Sequence, residues 1–474
     1  SIFCDDSSES GEFIMLDEFK KQTNVDVDLK IYPYETATER LNLDLNSGDY
    51  ADVIGGWTLS DNAILTYGVN QGVFIPLEDY FEKYCPNISA ILDLPGVREK
   101  MTAPDGHIYT IPYVCADSTV GYSPYINTKW LENVGMSMPT TTDEFEAVLK
   151  AFKEQDANGN GDASDEIPFS TDPNNKHIEA MAGYFGLPMN KLGIAIQNEK
   201  VVYGGVSDTY REFLSWFHKL YAEGLVDVEL YTQDSSTWEG KGNQDLYGVS
   251  IAYGSGEFTG IPAAEERGDF DSMPVLNTDK DGIWLRDTEG FSVYRTQAVI
   301  TNKAEHPEII CRWFDNAFAL ENGIGCNRGP VGVIVNKEDD GYHAIDTTTL
   351  SEEDQEKYSW GNLWPQSLPK YLPADFEFVE EHPMYDEKKA TEEAYEANLT
   401  KEIIPSYWID LDKIDTFSDT NTAIKDFFEQ QQAQFVCGEL DIDNDADWQA
   451  YVDGMYSLGL EDWVATQGIE EIAK

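Results

Sequence analysis

The sequence has few positive charges for its length. Its 474 residues include 32 Lys and Arg against 88 Asp and Glu, which gives a formal net charge of −56. A surface of this sign repels polyanions, so nucleic acid and a purely electrostatic contact with anionic lipid are both excluded. The acidity indicates a well-solvated surface and does not by itself identify a function.

Long hydrophobic runs are also missing. No stretch approaches the roughly 20 apolar residues that a membrane helix requires, and no signal peptide is recognisable. The chain begins Ser1-Ile2-Phe3-Cys4, which is typical of a strand. We therefore expect an upstream segment outside this sequence, and targeting cannot be read from the residues directly.

Cysteine and histidine patterns exclude several kinds of site. The six cysteines form no CxxC pair, so a zinc ribbon is excluded, while their even number permits disulfides without fixing a pairing. The six histidines are scattered, and no serine-hydrolase, zinc-protease, Walker or dinucleotide-binding motif occurs. Paired carboxylates could serve a glycosidase, but with 88 acids almost any pair can be nominated. We predict that the protein is not an enzyme.

The length of the chain indicates more than one domain. The periodicity of its apolar residues indicates α/β structure. Residues 25–31 alternate apolar and polar side chains, a helical pattern follows at 36–47, and a short strand is predicted at 52–54. Strand, helix and strand in this order favour a parallel sheet, whose ligands lie at the carboxyl ends of the strands. The two loops at such ends are 4–10 and 55–61.

The strongest chemical signal is the run DANGNGDASDE at 156–166. Oxygen-bearing side chains at alternate positions converge when the backbone turns tightly, and Gly161 permits that turn. Calcium binds 6–8 hard oxygens in loose geometry. We predict a structural calcium site with side-chain ligands Asp156, Asn158, Asn160, Asp165 and Glu166 and the carbonyl of Asp162.

This loop departs from an EF-hand in two ways. The acidic pair falls at positions 10 and 11, because Ile167 occupies position 12, and Pro168 prevents a second flanking helix. An ordinary Asx-rich surface turn is the alternative interpretation. A second acidic run, 441–447, lacks the glycine and precedes a helical pattern at Trp448, so we interpret it as a helix N-cap.

The order of motifs resembles the family 1 extracellular solute-binding proteins of ABC transporters, in particular the subgroup of LipO-like lipoproteins and alginate-binding proteins. The similarity extends over nearly the whole chain. The segments that carry it are LNLDLNSGDYADVI (41–54), GVFIPLEDYF (72–81), DGHIYTIPY (105–113), the most specific stretch 130–169 with the acidic run, HPEIICRWFDNAF (306–318) and the end at 435–463.

The resemblance implies a two-lobed, periplasmic-binding-protein-like (type II) α/β fold with a hinge, whose lobes close on a sugar. We expect one lobe from 1–115 plus about 292–345, and the other, with the calcium loop, from about 116–291 plus about 346–474. In the alginate binders the matching loop holds calcium, with the last two acids one residue closer. The resemblance also implies permease partners and a lipid anchor on a Gram-positive cell surface. We expect a monomer.

Candidate ligand residues follow from their positions near strand ends, crossings and aromatic segments. Aromatic faces bind the C–H surfaces of sugars, while carboxylates, amides and Arg bind their hydroxyls. Those predicted here are Trp57, Asp61, Asp117, Ser118, Tyr253, Glu257, Trp284, Arg286, Trp360 and Trp364. Each could instead be a core residue.

The ligand is predicted to be a neutral oligosaccharide. Anionic sugars would require several Arg or Lys in the binding site, and basic residues do not cluster near the predicted loops. Two alternatives remain open: a secreted carbohydrate-active enzyme, and a binder of peptides or other small solutes on the same fold.

Overall fold

The structure is a computed structural model of the chain. It describes residues 1–6, 12–172, 177–260, 268–379 and 383–473. Most of the predicted ligand loop 4–10 therefore lies outside the described residues.

The chain divides into two compact units. Unit 1 comprises Ser1–Asp117, Gly290–Glu381 and Ser406–Ile414, and unit 2 comprises Ser118–Glu289, His382–Pro405 and Asp415–Lys474. Each has its own apolar core. None of the described helices combines the length and the apolar character needed to cross a membrane.

The first stretch of unit 1 alternates strands and helices, as the sequence predicts, although the strand of 25–31 is limited to its last part. Its elements are β1 (Ile2–Asp5), α1 (Ile14–Thr23), β2 (Leu29–Tyr32), α2 (Tyr34–Ser47), β3 (Val53–Gly55), α3 (Asp61–Ala63) continued by a π-helical segment (Ile64–Asn70), α4 (Glu78–Tyr84), α5 (Pro86–Leu92), α6 (Val97–Met101) and β4 (Thr110–Ala116).

Unit 2 then begins. Its elements up to the return to unit 1 are β5 (Ser123–Asn127), α7 (Thr128–Val134), α8 (Thr142–Glu154), β6 (Ile167–Thr171), a 3-10 segment (Ile178–Phe185), β7 (Ile194–Gln197), β8 (Lys200–Tyr203), α9 (Asp208–Ala222), α10 (Ser235–Asn243), β9 (Tyr247–Ala252), α11 (Gly256–Thr259), β10 (Phe270–Ser272) and β11 (Trp284–Arg286).

The remaining elements return first to unit 1 and then to unit 2. They are β12 (Phe291–Ile300), α12 (Pro307–Asp315), a 3-10 segment (Asn316–Phe318), α13 (Leu320–Arg328), β13 (Val335–Glu338), β14 (Gly341–Ala344), a 3-10 turn (Thr347–Thr349), α14 (Glu352–Lys357), a 3-10 turn (Trp360–Asn362), α15 (Pro383–Tyr395), a 3-10 turn (Glu396–Asn398), β15 (Leu399–Ile403), a 3-10 turn (Leu411–Lys413), α16 (Ile414–Cys437), α17 (Asp445–Ser457), α18 (Leu460–Thr466) and β16 (Glu471–Ile472).

Each unit is built on a mixed sheet. In unit 1 the strand order is β2-β1-β3-β12-β4, with β1 parallel to β2 and β3, and β12 antiparallel to β3 and β4. In unit 2 the order is β10-β5-β9-β6, with β6 parallel to β9 and β5 antiparallel to it. Parallel neighbours place their carboxyl ends at one edge, and that edge holds the side chains described below.

The segment after residue 345 corrects the expected division of the chain. We expected it in the C-terminal lobe, but its described part up to residue 379 belongs to unit 1. Trp364 packs against Phe19 and Trp313 in the core of unit 1, with ring centroids 5.1 and 5.7 Å away. Backbone hydrogen bonds from Val114 and Leu372 also attach this segment to β4. These contacts join residues that are far apart in the chain, so local sequence patterns do not predict them.

Candidate functional site

In unit 1, the loop after β3 is fixed by the last residue of β1. Both oxygens of Asp5 accept backbone N–H groups, from Trp57 at 2.9 Å and from Thr58 at 2.7 Å. Gly56 has φ 140°, and a Cβ there would collide with the Asp5 carboxylate. The backbone conformation of the loop is therefore fixed, and the side chain of Trp57 is exposed to solvent.

Trp57 forms an aromatic group with two tyrosines. Its ring is 45% exposed and meets Tyr294 edge-on, with centroids 5.3 Å apart. Tyr294 in turn stacks on Tyr113 at 5.5 Å and donates its hydroxyl to Asp117 at 2.7 Å. We call Trp57, Tyr113, Tyr294 and Asp117 the unit 1 surface. Two predicted ligand residues, Trp57 and Asp117, thus share one patch.

The predicted ligand residue Asp61 lies in an ion pair beside this surface. Nε of the buried Arg295 donates to Asp61 Oδ1 at 2.8 Å, and a second guanidinium nitrogen donates to Oδ2. The same guanidinium donates to the Tyr407 carbonyl at 2.7 Å and lies 4.1 Å above the ring of Trp408. Asp61 therefore fixes Arg295, although its oxygens keep lone pairs that a hydroxyl could reach.

In unit 2, the corresponding edge of the sheet gathers three side chains. Asp172 and Tyr253 follow the parallel strands β6 and β9, and Tyr122 precedes β5, which runs the opposite way. Tyr122 stacks on His177 with centroids 4.0 Å apart and meets Tyr253 edge-on at 6.2 Å. The side chains of Tyr122, Asp172, His177 and Tyr253 are all partly exposed, so their rings and oxygens can contact a ligand.

Carboxylates surround these rings. Glu257 accepts the backbone N–H of Tyr253 at 2.9 Å, and Asp172 accepts the Ser235 hydroxyl at 2.7 Å. Although Glu257 is reached by solvent, burial first, and then the charges of Asp172 and Glu239, raises the pKa of its carboxyl to about 7. Burial and Asp172 also raise the pKa of Glu239. We call Tyr122, Asp172, His177, Glu239, Tyr253 and Glu257 the unit 2 surface.

Two lysines among the described residues interact with the unit 2 surface. Lys191 interacts electrostatically with His177 and Asp172. The ammonium of Lys388 lies 4.0 Å from the centroid of the Tyr253 ring and donates to two carbonyl oxygens, of Gly121 at 2.5 Å and of Tyr253 at 2.7 Å. Burial lowers the pKa of His177 to about 3, so its ring is neutral at ordinary pH. The surface therefore combines aromatic faces with three carboxylates and two lysines.

Two of the predicted ligand tryptophans are core residues instead. Trp284 is 1% exposed and packs between Tyr184 and Tyr395, and Trp364 is 0% exposed in the core of unit 1. Neither ring offers a face to a ligand, so both predictions were wrong. The sequence shows a tryptophan near a turn but not the side of the sheet to which it points.

Three further predicted ligand residues have specific local roles. Arg286 donates to the Thr400 carbonyl at 3.1 Å and pairs with Glu396, which ties β11 to β15. Ser118 is buried, and its hydroxyl accepts the backbone N–H of Val120. Trp360 is 49% exposed in unit 1. It remains a candidate, whereas Arg286 and Ser118 stabilise the fold.

Several residues of the two surfaces, and several that contact them or lie beside them, were not predicted from the sequence. For Asp172 and Tyr122 a signal existed, since one follows and the other precedes a buried strand. Strand direction and order, which sequence does not provide, were needed to place them together. For the others no local signal existed, and they are Tyr113, His177, Glu239, Tyr294, Arg295, Lys388 and Trp408.

The predicted calcium loop lies between α8 and β6. Gly161 has φ 93°, and its N–H donates to Asp156 Oδ2 at 3.0 Å. This leaves Asp156 Oδ1 buried without a hydrogen bond, and Glu166 Oε2 is in the same state. Burial raises the pKa of Glu166. Two buried oxygens without partners are costly unless a cation binds them, so the donor set fits calcium.

The other predicted ligands form hydrogen bonds within the loop. The amide nitrogens of Asn158 and Asn160 approach the carboxylate of Asp165, at 3.3 and 2.7 Å. Asp162 Oδ1 accepts the Ser164 hydroxyl at 2.6 Å. The ligand role predicted for the Asp162 carbonyl stays a prediction.

The second acidic loop, 441–447, uses its oxygens differently. Asn444 Oδ1 accepts the Ala446 N–H at 2.9 Å and caps α17. Asp443 accepts the Ser215 hydroxyl at 3.0 Å, and Asp445 pairs with Arg211 at 2.9 Å. The predicted N-cap at this loop is confirmed. The two acidic loops thus differ in that, among the described residues, only 156–166 has buried carboxylate oxygens without a hydrogen bond.

Comparison with known proteins identifies relatives of the chain. Residues 7–323 match the model of the bacterial extracellular solute-binding protein family. The chain is 33% identical over 335 residues, 68% of its length, to the fructooligosaccharide ABC transporter substrate-binding protein FusA of Streptococcus pneumoniae serotype 4. It is 28% identical over 280 residues, 57% of its length, to lipoprotein LipO of Bacillus subtilis. These alignments span 61% and 52% of the relatives' own lengths.

A solved structure is also similar to the chain. It is that of an EF-hand mutant of S. pneumoniae FusA in complex with fructo-nystose, with a TM-score of 0.83 and 27% identity over 98% of this chain and 97% of that one. The predicted α/β, periplasmic-binding-protein-like fold is confirmed by this similarity.

Proposed function

The chain belongs to the bacterial extracellular solute-binding protein family, and from this premise we propose that it binds a neutral oligosaccharide as the substrate-binding component of an ABC importer. The observation that carries the proposal is the unit 2 surface, where rings of two tyrosines and a histidine lie beside three carboxylates. Aromatic faces pack on the C–H faces of sugars, and carboxylates accept their hydroxyl protons.

The charge of the unit 2 surface, where three carboxylates outnumber two lysines, favours a neutral ligand over an anionic one. Arg295 is neutralised by Asp61, and Lys388 donates to backbone carbonyls. The carboxylates of Asp172, Glu239 and Glu257 would repel a uronate chain. A ligand with hydroxyls and no carboxyl groups satisfies these acceptors without a charge penalty.

The similarity to FusA makes short fructooligosaccharides the first ligands to test. Calorimetry with kestose and nystose should give saturable binding, while a galacturonate trimer and a peptide mixture should give none. If the uronate bound as tightly as kestose or nystose, the proposal of a neutral ligand would be contradicted. If only peptides bound, the proposal that the ligand is a sugar would be contradicted. Release of monosaccharide during the incubation would instead indicate an enzyme.

We also propose a structural calcium ion in the loop 156–166. The side chains that would hold it are Asp156, Asn158, Asn160, Asp165 and Glu166, with the carbonyl of Asp162. Bound calcium would neutralise the loop carboxylates and supply partners for the two buried oxygens. The loop connects α8 to β6, whose following residue, Asp172, belongs to the unit 2 surface.

Calcium binding can be tested on protein stripped with EDTA. Calorimetry should show one site, and added calcium should raise Tm, because a ligand that binds only the folded state stabilises it. Asp156→Asn should abolish both effects. Asp443→Asn, in the loop 441–447, is the matched control and should leave both unchanged. Absence of binding to the wild-type protein would overturn this proposal.

The proposed importer role implies a cellular setting. We propose that the protein is a cell-surface lipoprotein of a Gram-positive bacterium, that permease subunits of the importer are its partners, and that it acts as a monomer. Family membership and the similarity to LipO and FusA support this. Fractionation of the native host tests the cell-surface location, and gel filtration of the purified chain tests the monomer.

A further inference from the structure

Unit 1 contains a buried lysine beside its ligand surface. Among the described residues, Lys370 is the one lysine that is buried, with 1% of its surface exposed. Its ammonium donates to Gln366 Oε1 at 2.7 Å and lies 3.5 Å from the carbonyl oxygen of the same residue. An ammonium has three N–H groups, and a buried charge is costly unless its neighbours stabilise it. The other neighbours of Lys370 therefore matter for its role.

Two aromatic rings lie next to this ammonium. Its nitrogen is 4.9 Å from the centroid of the Tyr113 ring and 5.9 Å from that of the Trp360 ring. A cation within about 6 Å of an aromatic ring is attracted to it, and the attraction is stronger away from water. Tyr113 belongs to the unit 1 surface, and Trp360 is 49% exposed. One buried charge thus connects a ring of that surface with a second ring that a ligand can reach.

The segment that contains Lys370 is attached to two strands of the unit 1 sheet. The Gln366 side chain donates to the Trp360 carbonyl at 2.9 Å, and its backbone N–H donates to Asp6 Oδ2, directly after β1, at 2.8 Å. The Lys370 carbonyl accepts the N–H of Val114, near the end of β4, at 3.0 Å. Because β12 is antiparallel to both β3 and β4, β4 runs in the same direction as β1 and β3. The segment therefore lies at the carboxyl ends of these strands.

We propose that Lys370 is a positioning residue of the ligand site, whose buried ammonium holds the rings of Tyr113 and Trp360 in place and makes Trp360 part of the surface that binds the sugar. Because it is buried, Lys370 acts through these rings and does not itself contact the ligand. The inference rests on the proposed function, since an oligosaccharide is the ligand that would pack on such rings.

The mobility of the Trp360 ring tests the positioning without any ligand. Nitrogen relaxation of the indole N–H groups reports on each ring, and the Trp360 signal is the one absent from Trp360→Phe. At neutral pH its order parameter in the wild type should be about 0.8, as for rigid backbone, although half of the residue is exposed. In Lys370→Met it should fall below about 0.6.

Lys370→Met separates positioning from a purely structural role. The substitution keeps nearly the same side-chain length and removes the charge, so the core stays filled and Tm should not fall. Lys337→Met is the matched control, because it removes an exposed cation 5.7 Å from the Tyr342 ring in the same unit. It should leave the Trp360 order parameter unchanged.

Calorimetry with kestose tests the effect on binding. Trp360→Ala should weaken binding roughly tenfold and Lys370→Met roughly fivefold, while Lys337→Met should not change the affinity. The double variant of Lys370 and Trp360 should lose less than the product of the two single losses, because Lys370 acts in part through Trp360.

Each outcome decides between the inference and its alternatives. A mobile Trp360 ring in the wild type, an unchanged order parameter in Lys370→Met, or single losses that multiply would overturn the inference. If Lys370→Met does not fold, the wild-type order parameter and the affinity of Trp360→Ala decide, and unchanged affinity overturns it. If the wild type does not bind kestose or nystose, the proposed function fails, and the relaxation data still decide whether Lys370 holds the Trp360 ring.

Discussion

The unit 1 and unit 2 surfaces both combine aromatic rings with carboxylates, but they differ in how the carboxylate charges are balanced. In unit 1, Asp61 and Arg295 form a two-pronged ion pair, so the aromatic group beside them stands next to a neutralised patch. In unit 2, burial and then the charge of Asp172 raise the pKa of both Glu239 and Glu257. The comparison indicates that the unit 2 surface should respond to pH.

The largest expected effect breaks the ion pair of unit 1. Arg295→Ala leaves the Asp61 charge without its partner and removes the donors to two backbone carbonyls. We expect the free energy of unfolding to fall by about 2–3 kcal/mol, measured by urea denaturation. Lys280→Ala is the control. It removes an exposed ion pair with Glu212 and should change the free energy by about 0.5 kcal/mol at most.

Trp57 tests the aromatic part of the unit 1 surface. Trp57→Ala removes the exposed ring and should weaken binding of the neutral oligosaccharide by roughly 30-fold, or about 2 kcal/mol, in calorimetry. Trp57→Phe should recover part of this loss. Tyr456→Ala removes another exposed ring, on α17, and should not change the affinity. Equal losses from the two Ala variants would contradict a ligand role for Trp57.

Tyr253 tests the aromatic part of the unit 2 surface. Tyr253→Ala removes a ring that contacts Tyr122 and supports Lys388, and should weaken binding roughly tenfold. Tyr253→Phe keeps the ring and should bind nearly as well as the wild type. Loss of binding in the Phe variant, with Tm unchanged, would show that the hydroxyl rather than the ring face matters.

The smallest effect concerns pH and should occur in unit 2. Because burial raises the pKa of Glu257 from 4.5 to about 7, its protonated form stabilises the fold below pH 4.5, and this contribution is lost as pH rises through about 7. Sugar hydroxyls that donate to the carboxylate favour its ionised form. Affinity should therefore rise by a few-fold as pH passes through about 7, and level off above about pH 8.

Glu257→Gln should remove this dependence of affinity on pH. Asp61→Asn, beside the unit 1 surface, is the comparison variant and should retain the pH dependence, whatever its effect on affinity at pH 8. A wild-type affinity that is constant from pH 5 to 8 would contradict the assignment of Glu257 to the ligand surface.

The sequence predicts the architecture better than the site, for a physical reason. Elements such as α8 follow from local signals, including the Thr141 side chain that caps it. A position after a strand was enough to nominate Trp57 and Tyr253. Trp284 and Trp364 failed because the face of a sheet to which a ring points depends on distant packing. Arg295 was missed because its partner Asp61 is far away in the chain.

The attachment of Asp5 to the loop of Trp57 has a consequence for the evolution of specificity. Asp5 and Gly56 fix the backbone, whereas the exposed indole takes no part in those hydrogen bonds. A codon change at position 57 can therefore alter the contacting side chain without refolding its support, while changes at positions 5 and 56 must occur together. Homologues with different ligands should vary at 57 and covary at 5 and 56.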